Sequence, residues 1–207
     1  QLYHRLTGSP RAFVMRDACL GPSYTDQQIR DALDLAKISY EEVLDIPERT
    51  ARLIADGKIV GWYQGRMEFG PRALGARSIL ADPTRLDMKD LINKYVKHRE
   101  EFRPFAPSIL EERACEFFEG CRQSPFMLFV YPVRPEKRQQ VPAITHVDGT
   151  ARVQTVARDV NPLYYATIEA FERLKGVPMV LNTSFNVNKE PIVNTPLDAI
   201  RCFYGTG

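Results

Sequence analysis

The sequence has little cysteine or histidine, and what it has is poorly spaced for metal or disulfide chemistry. Cys19, Cys115, Cys121 and Cys202 form no CxxC pair, and His4, His98 and His146 are scattered along the chain. This argues against a zinc site and against a disulfide framework, so reduced thiols in a cytoplasm are the expectation. No apolar run is long enough to span a bilayer and no signal peptide is visible. Charge of one sign is not in excess either: 28 Lys and Arg against 26 Asp and Glu leave a net charge of +2. A polycation built to coat nucleic acid is excluded, and any basic site must be local. Internal repeats, a Walker A loop and a dinucleotide fingerprint are all missing.

What remains is an ordinary globular composition, 44% apolar and 26% charged over 207 residues, enough for one domain or one domain with an appendage. The chain starts at Gln1 and stops at Gly205-Thr206-Gly207 just after a helical pattern, so a piece of a longer protein is expected. Residues 1–24 read as a connector with one edge strand at Ala12–Met15. Helices are predicted from the cap at Thr25 (with Gln28, Ile29, Ala32, Leu33 and Ala36), over Pro47–Asp56, and at Met88–Val96. Others are predicted at Ala114–Phe118, from the cap at Asn161 to Gly176 (burying Leu163, Ile168, Phe171 and Leu174), and from Thr195 to Phe203. Strands are expected at Ile59–Tyr63, Ala106–Leu110, Phe126–Tyr131 and Val177–Leu181. A hairpin is expected around Asp148-Gly149, with both arms inside Ala143–Val156. The charged segment Arg134–Gln140 reads as a loop.

Three stretches carry chemistry. Gly65–Pro83 reads as a connection holding Gly65, Gly70 and Gly75 with Arg66, Arg72 and Arg77, glycines for close backbone approach and guanidinium forks for anions. Composition alone leaves open a turn-rich surface loop whose arginines are solvated. Lys97, Arg99 and Arg103 form a second basic cluster at or just past a helix C-terminus, where cations also simply complement the helix dipole. From Arg66 to Arg103 there are nine Lys and Arg against six Asp and Glu, a modest local excess. Asn182-Thr183-Ser184-Phe185-Asn186 follows a buried strand, the place where open α/β sheets bind ligands, although such residues also cap helices and make turns. Arg152 alternates with Val153, facing either a cleft or solvent.

Taken together, GRMEFGPRALGARSILADP, KHREEFRPFAP, THVDGTARVQ and NTSFN resemble the C-terminal domain of the O-carbamoyltransferase family, which includes nodulation-factor and antibiotic carbamoyltransferases. The resemblance runs from about Gly21 to the end. It implies an α/β fold, a twisted mixed sheet with flanking helices that is YrdC/Sua5-like, over residues 25–207. It also implies that residues 1–24 connect to a preceding Kae1-like domain in cis, which holds iron and passes a carbamoyl group to a hydroxyl acceptor. By the same resemblance this domain binds ATP, accompanied by Mg²⁺, and carbamoyl phosphate, and makes carbamoyl-adenylate. Arg72, Lys97 and Arg152 are then the catalytic cations, with Arg99, Arg103, Asn182, Ser184 and Asn186 completing the substrate site and no resident metal. At Asn188-Lys189 the sequence departs from the Arg-Gly that family members more often carry. Two other classes stay open: a double-stranded-RNA-binding module of the same fold, disfavoured by the near-neutral charge, and a non-catalytic partner domain.

Overall fold

The computed structural model describes residues 2–10 and 12–206. Its helices start where side chains accept the orphan amides of a first turn. After the short α1 (Leu2–Thr7), Thr25 and Gln28 form a capping box on α2 (Asp26–Leu35), and Asp45 accepts from Glu48 N at the start of α3 (Ile46–Ala55). A four-residue turn, α4 (Met88–Leu91), passes into a π-helical turn, Ile92–Val96, and α5 spans Ala114–Phe117. Asn161 caps α6 (Pro162–Lys175), which Gly176 ends in the left-handed conformation at φ 70. Thr195 and Asp198 box the start of α7 (Pro196–Gly205).

Six strands form one mixed sheet: β1 (Val60–Tyr63), β2 (Arg77–Ala81), β3 (Ala106–Leu110), β4 (Phe129–Pro132), β5 (Thr150–Val156) and β6 (Met179–Ser184). The spatial order is β1-β2-β6-β3-β5-β4, and β3 with β5 is the parallel pair. Helix α3 packs along α6, and α6 lies on β3 and β6. Ile54, Leu80, Ile109, Ile168, Phe171 and Val180 are fully buried there, each contributing about 1.5–3 kcal/mol of transfer free energy. The twisted mixed α/β sheet with flanking helices is the expected class. Among the described residues no helix is long and apolar enough to cross a membrane.

Several local expectations are corrected. Ala12–Met15 is not a strand: Phe13 and Val14 are exposed, and the segment finds no pairing edge. The Gly/Arg stretch is not only a connection, because its end is β2, buried at all five positions and paired with β1 and β6. The Asp148-Gly149 turn exists, closed by Gly149 N donating to His146 O, but it joins no hairpin. Pro142 starts a 3-10 turn in the intended first arm, and β5 pairs instead with β3 and β4. The apolar run at 126–131 becomes strand only from Phe129, after Met127 takes φ 53, and it is an edge strand with Phe129 and Val130 exposed. On α6 the buried positions are Tyr164, Tyr165, Thr167, Ile168, Ala170 and Phe171, leaving Leu163 and Leu174 on its rim. The charged loop at 134–140 contains a 3-10 turn, Pro135–Lys137. Asn182–Ser184 are the last residues of β6 rather than a loop.

Candidate anion-binding site

The segment between β1 and β2 is built around Glu68. This side chain is 3% exposed, and its Oε1 accepts from the backbone N–H groups of Leu74 (2.8 Å), Ala76 (2.6 Å) and Arg77 (3.4 Å). One carboxylate therefore shapes the whole turn. Gly75, at φ 103, lies so close to the ring of Tyr164 that a Cβ would stand 2.3 Å from it. The carbonyl of Gly75 accepts from Trp62 Nε1 (2.8 Å) and Gln64 Nε2 (2.6 Å).

The three arginines of this segment have different fates. Arg66 donates to the carbonyls of Leu20 and Gly21. Arg77 is fully buried, lies 3.6 Å above the Tyr63 ring and donates to the carbonyls of Gln64, Gly65, Ala76 and Asn194. Both are structural. Arg72 alone of the three makes no hydrogen bond or ion pair among the described residues, and it is half-buried close to Arg152. Burial first, and the charge of Arg72 second, disfavour the guanidinium of Arg152. Arg152 meets Met127 Sδ through Nη2 at 3.8 Å, while its Nε is shielded from solvent without a partner. His146, bonded through Nδ1 to Thr150 Oγ1 at 3.2 Å, sits beside it; burial, with Arg152 adding, holds this imidazole below its usual value.

Lys97 caps the π-helical turn and is 3% exposed. Its Nζ reaches Ser184 O (2.5 Å), Asn186 O (2.8 Å), Asn186 Oδ1 (2.8 Å) and Ser184 Oγ (3.3 Å). Ser184 Oγ in turn donates to Asn186 Oδ1 at 2.6 Å, so three predicted residues form one cluster. Arg99 is braced by Asn93 Oδ1 (2.7 Å) and by the Phe105 ring, 4.9 Å from its guanidinium carbon. Arg103 differs from these: it is exposed and ion-paired with Glu100 at 3.0 Å.

A buried polar relay ties the turn that carries Arg72 to the sheet. The two N–H groups of Asn182 Nδ2 are shared among Ala73 O, Ser108 Oγ and Gln154 Oε1 at 2.9–3.1 Å, and Gln154 Nε2 donates to Leu74 O at 2.8 Å. The register opposes Ser108 to Gln154 and Ala106 to Asn182. Alternation along each strand then places Arg152, Gln154, Ser108, Asn182 and Ser184 on one face of the sheet. Glu68, Asn93, Ser108 and Gln154 were missed by sequence reasoning. The available signal was a lone polar residue inside an apolar strand, as at Ser108; Gln154 stands among other polar residues of β5 and gives no such signal, and Glu68 works through backbone amides, which leave no spacing rule. The departure at Asn188-Lys189 also has a structural counterpart: Lys189 adopts φ 68, the left-handed backbone that a glycine takes without strain.

The segments that carry these residues can be compared with known proteins. The family model described as Carbamoyltransferase C-terminus matches residues 51–207, a span holding every residue of the site. The chain belongs to the carbamoyltransferase C-terminal family. Within that family it is similar to nodulation protein NolNO of Sinorhizobium fredii, 56% identical over 172 residues, covering 82% of this chain and 25% of that protein. It is also similar to nodulation protein NolO of Bradyrhizobium diazoefficiens, 58% identical over 165 residues, covering 78% of this chain and 30% of that protein. This carbamoyltransferase domain thus spans only about a quarter to a third of the length of these curated relatives. Its fold is shared with full-length HypF in the phosphate- and nucleotide-bound form, with a TM-score of 0.55, 18% identity, and coverage of 82% of this chain and 21% of HypF.

Proposed function

We propose that this domain is the activating half of an O-carbamoyltransferase, binding carbamoyl phosphate and Mg²⁺-ATP and forming carbamoyl-adenylate. The observation that carries the reading is charge without counter-charge: Arg72, Lys97, Arg99 and Arg152 are all at least half removed from solvent, and none has a carboxylate partner among the described residues. Elsewhere the chain pairs even exposed arginines with carboxylates, as at Arg16, Arg30, Arg113 and Arg158. Desolvated cations left unpaired favour a polyanionic ligand, which supplies the missing charge. Two phosphate-bearing substrates repel each other, and fixed cations offset that repulsion. The solved HypF chain of like fold, bound to phosphate and nucleotide, agrees in kind.

The chemistry balances without a protein nucleophile. Water and carbamoyl phosphate give carbamate and phosphate. A carbamate oxygen then bonds to the α-phosphorus of ATP as the bond to the β-phosphate oxygen breaks and pyrophosphate leaves. The protein's part is positioning and charge stabilisation. Residues 1–24 would connect to the Kae1-like domain in cis that transfers the carbamoyl group to a hydroxyl acceptor in the cytoplasm. The test is pyrophosphate release with ATP, Mg²⁺ and carbamoyl phosphate. Release should need both substrates and fall by about 10²-fold or more in Arg72→Ala. Release that ignores carbamoyl phosphate, or survives Arg72→Ala unchanged, would sink the reading.

A further inference from the structure

The turn that carries Arg72 is held from outside by the connector. Gly21 N donates to Met67 O (2.9 Å), Met67 N to Pro22 O (2.9 Å) and Phe69 N to Ala18 O (2.7 Å), while Arg66 reaches the carbonyls of Gly21 and Leu20 at 3.0 and 2.7 Å. Gly21 fits so closely that a Cβ there would stand 2.9 Å from Met67 O. The clamped piece, residues 66–69, includes Glu68, whose carboxylate runs on to the amides of Leu74, Ala76 and Arg77. Arg72 lies between these fixings, so its place follows that of the connector. Gly65 and Gly70 bracket the clamped piece at φ 50 and 129, each with nothing within 4 Å of where a Cβ would stand, two open positions at which a backbone can swing. A cavity of about 350 Å³ is walled by Met15 and Cys19 of the connector and by Gly65, Leu74 and Ala76 from the two ends of the turn. Connector and turn thus have room to shift together. Ahead of the Arg16–Asp159 ion pair, Phe13 and Val14 are exposed and no residue of α1 is buried, so a pull on that segment is delivered to the clamp.

We propose that residues 17–22 are a clamp on the turn carrying Arg72, and that closure of the clamp and anion binding at Arg72 are coupled, each favouring the other. This coupling rests on the proposed function, which supplies the anion, and adds to it a route by which movement of the chain ahead of Arg16 reaches the site. It is reciprocal: an anion that binds the clamped arrangement more tightly than the lifted one must hold the clamp down by the same factor. Arg66 is then a positioning residue, acting on Arg72 through the backbone of the turn. The clamp carries its own reporter. Cys19 is half-buried in it, and burial first, with the charge of Glu68 second, pushes its thiol up to about 11, so alkylation at mildly alkaline pH measures how often the clamp lifts.

The experiment is alkylation by N-ethylmaleimide, followed peptide by peptide in a mass spectrometer, with and without inorganic phosphate at a concentration that calorimetry shows to be saturating. Phosphate should slow Cys19 about fivefold or more in the wild type and leave the exposed Cys115 unchanged. In Arg72→Ala the slowing should disappear. A charge-conserving double variant, Gly21→Val with Arg66→Lys, loses the close fit and the guanidinium fork; its Cys19 should react nearly as fast as Cys115, and its affinity for phosphate should fall about fivefold. A Cys19 rate indifferent to bound phosphate, slowing that persists in Arg72→Ala, or full phosphate affinity in a double variant whose Cys19 reacts freely overturns the clamp and leaves the anion site standing. Failure of phosphate to bind the wild type overturns the proposed function, and the coupling with it. If the double variant does not fold, the wild type and Arg72→Ala decide.

Discussion

Lys97 is a buried cation held by four oxygen contacts from Ser184 and Asn186. Burial, reinforced by the charge of Arg99, pulls its ammonium from 10.5 down to about 7, while the oxygens support the charged form, which donates one hydrogen bond more than the amine. The native state therefore binds fewer protons than the unfolded chain between about 7 and 10.5. The stabilising contribution is complete above the unfolded value and is lost as pH falls through about 7. On the proposed function anion binding should run the other way, because the charge that would attract the ligand disappears as pH rises. Affinity for sulfate, whose own charge is constant there, should fall as pH is raised through about 7, and Lys97→Arg should flatten the dependence. A flat wild-type profile would mean that Lys97 stays charged throughout. The sequence made Lys97 visible as a cation at a helix end but not its partners, because they lie 87 and 89 positions away and half of them are backbone carbonyls. Arg66 and Arg77 were misleading for the same reason: their acceptors are main-chain oxygens of neighbouring turns, which no side-chain pattern records.

At the scale of the element, the turn between β1 and β2 is held by contacts that differ from end to end. At Gly75 an added methyl meets the Tyr164 ring at 2.3 Å and also inherits φ 103, whereas at Gly70 it meets nothing within 4 Å and inherits only φ 129. Gly75→Ala should therefore cost about 3 kcal/mol or more, and Gly70→Ala about 1 kcal/mol, in urea unfolding. Equal losses would show that the tyrosine yields and that backbone strain alone matters. Capped helices were legible because their signals are local: Thr25 with Gln28, Asn161 with Pro162, and Thr195 with Pro196 all start helices where expected. Pairing was not. β2 was hidden because it begins with a buried arginine and follows three glycines, a pattern that reads as turn. The Asp148-Gly149 turn was real, but whether a turn makes a hairpin depends on its arms, and β5 had better partners in β3 and β4.

For the whole molecule, the candidate site places like charges together, Arg72 beside Arg152, an arrangement that should cost stability. Arg152 is half-buried and disfavoured by Arg72, and neither has a carboxylate partner among the described residues. Arg72→Ala should consequently melt no lower than the wild type even as it loses anion affinity, a separation readable from one set of thermal melts with and without phosphate. A lower melting temperature without ligand would show that Arg72 also supports the fold. The near-neutral charge of the chain conceals this arrangement, since +2 overall says nothing of where cations are left unpaired. The motifs drew attention to these residues, and the relay of Ser108, Asn182 and Gln154 ties the turn carrying Arg72 to the sheet. Finally, the chain has one tryptophan. Trp62 is 5% exposed and its indole N–H donates to the carbonyl of Gly75, the residue that closes the turn carrying Arg72. The protein thus contains a built-in optical probe of that turn. On the proposed function, its emission should change when carbamoyl phosphate is added and remain still in Arg72→Ala, a difference that stopped-flow fluorescence would time without any label.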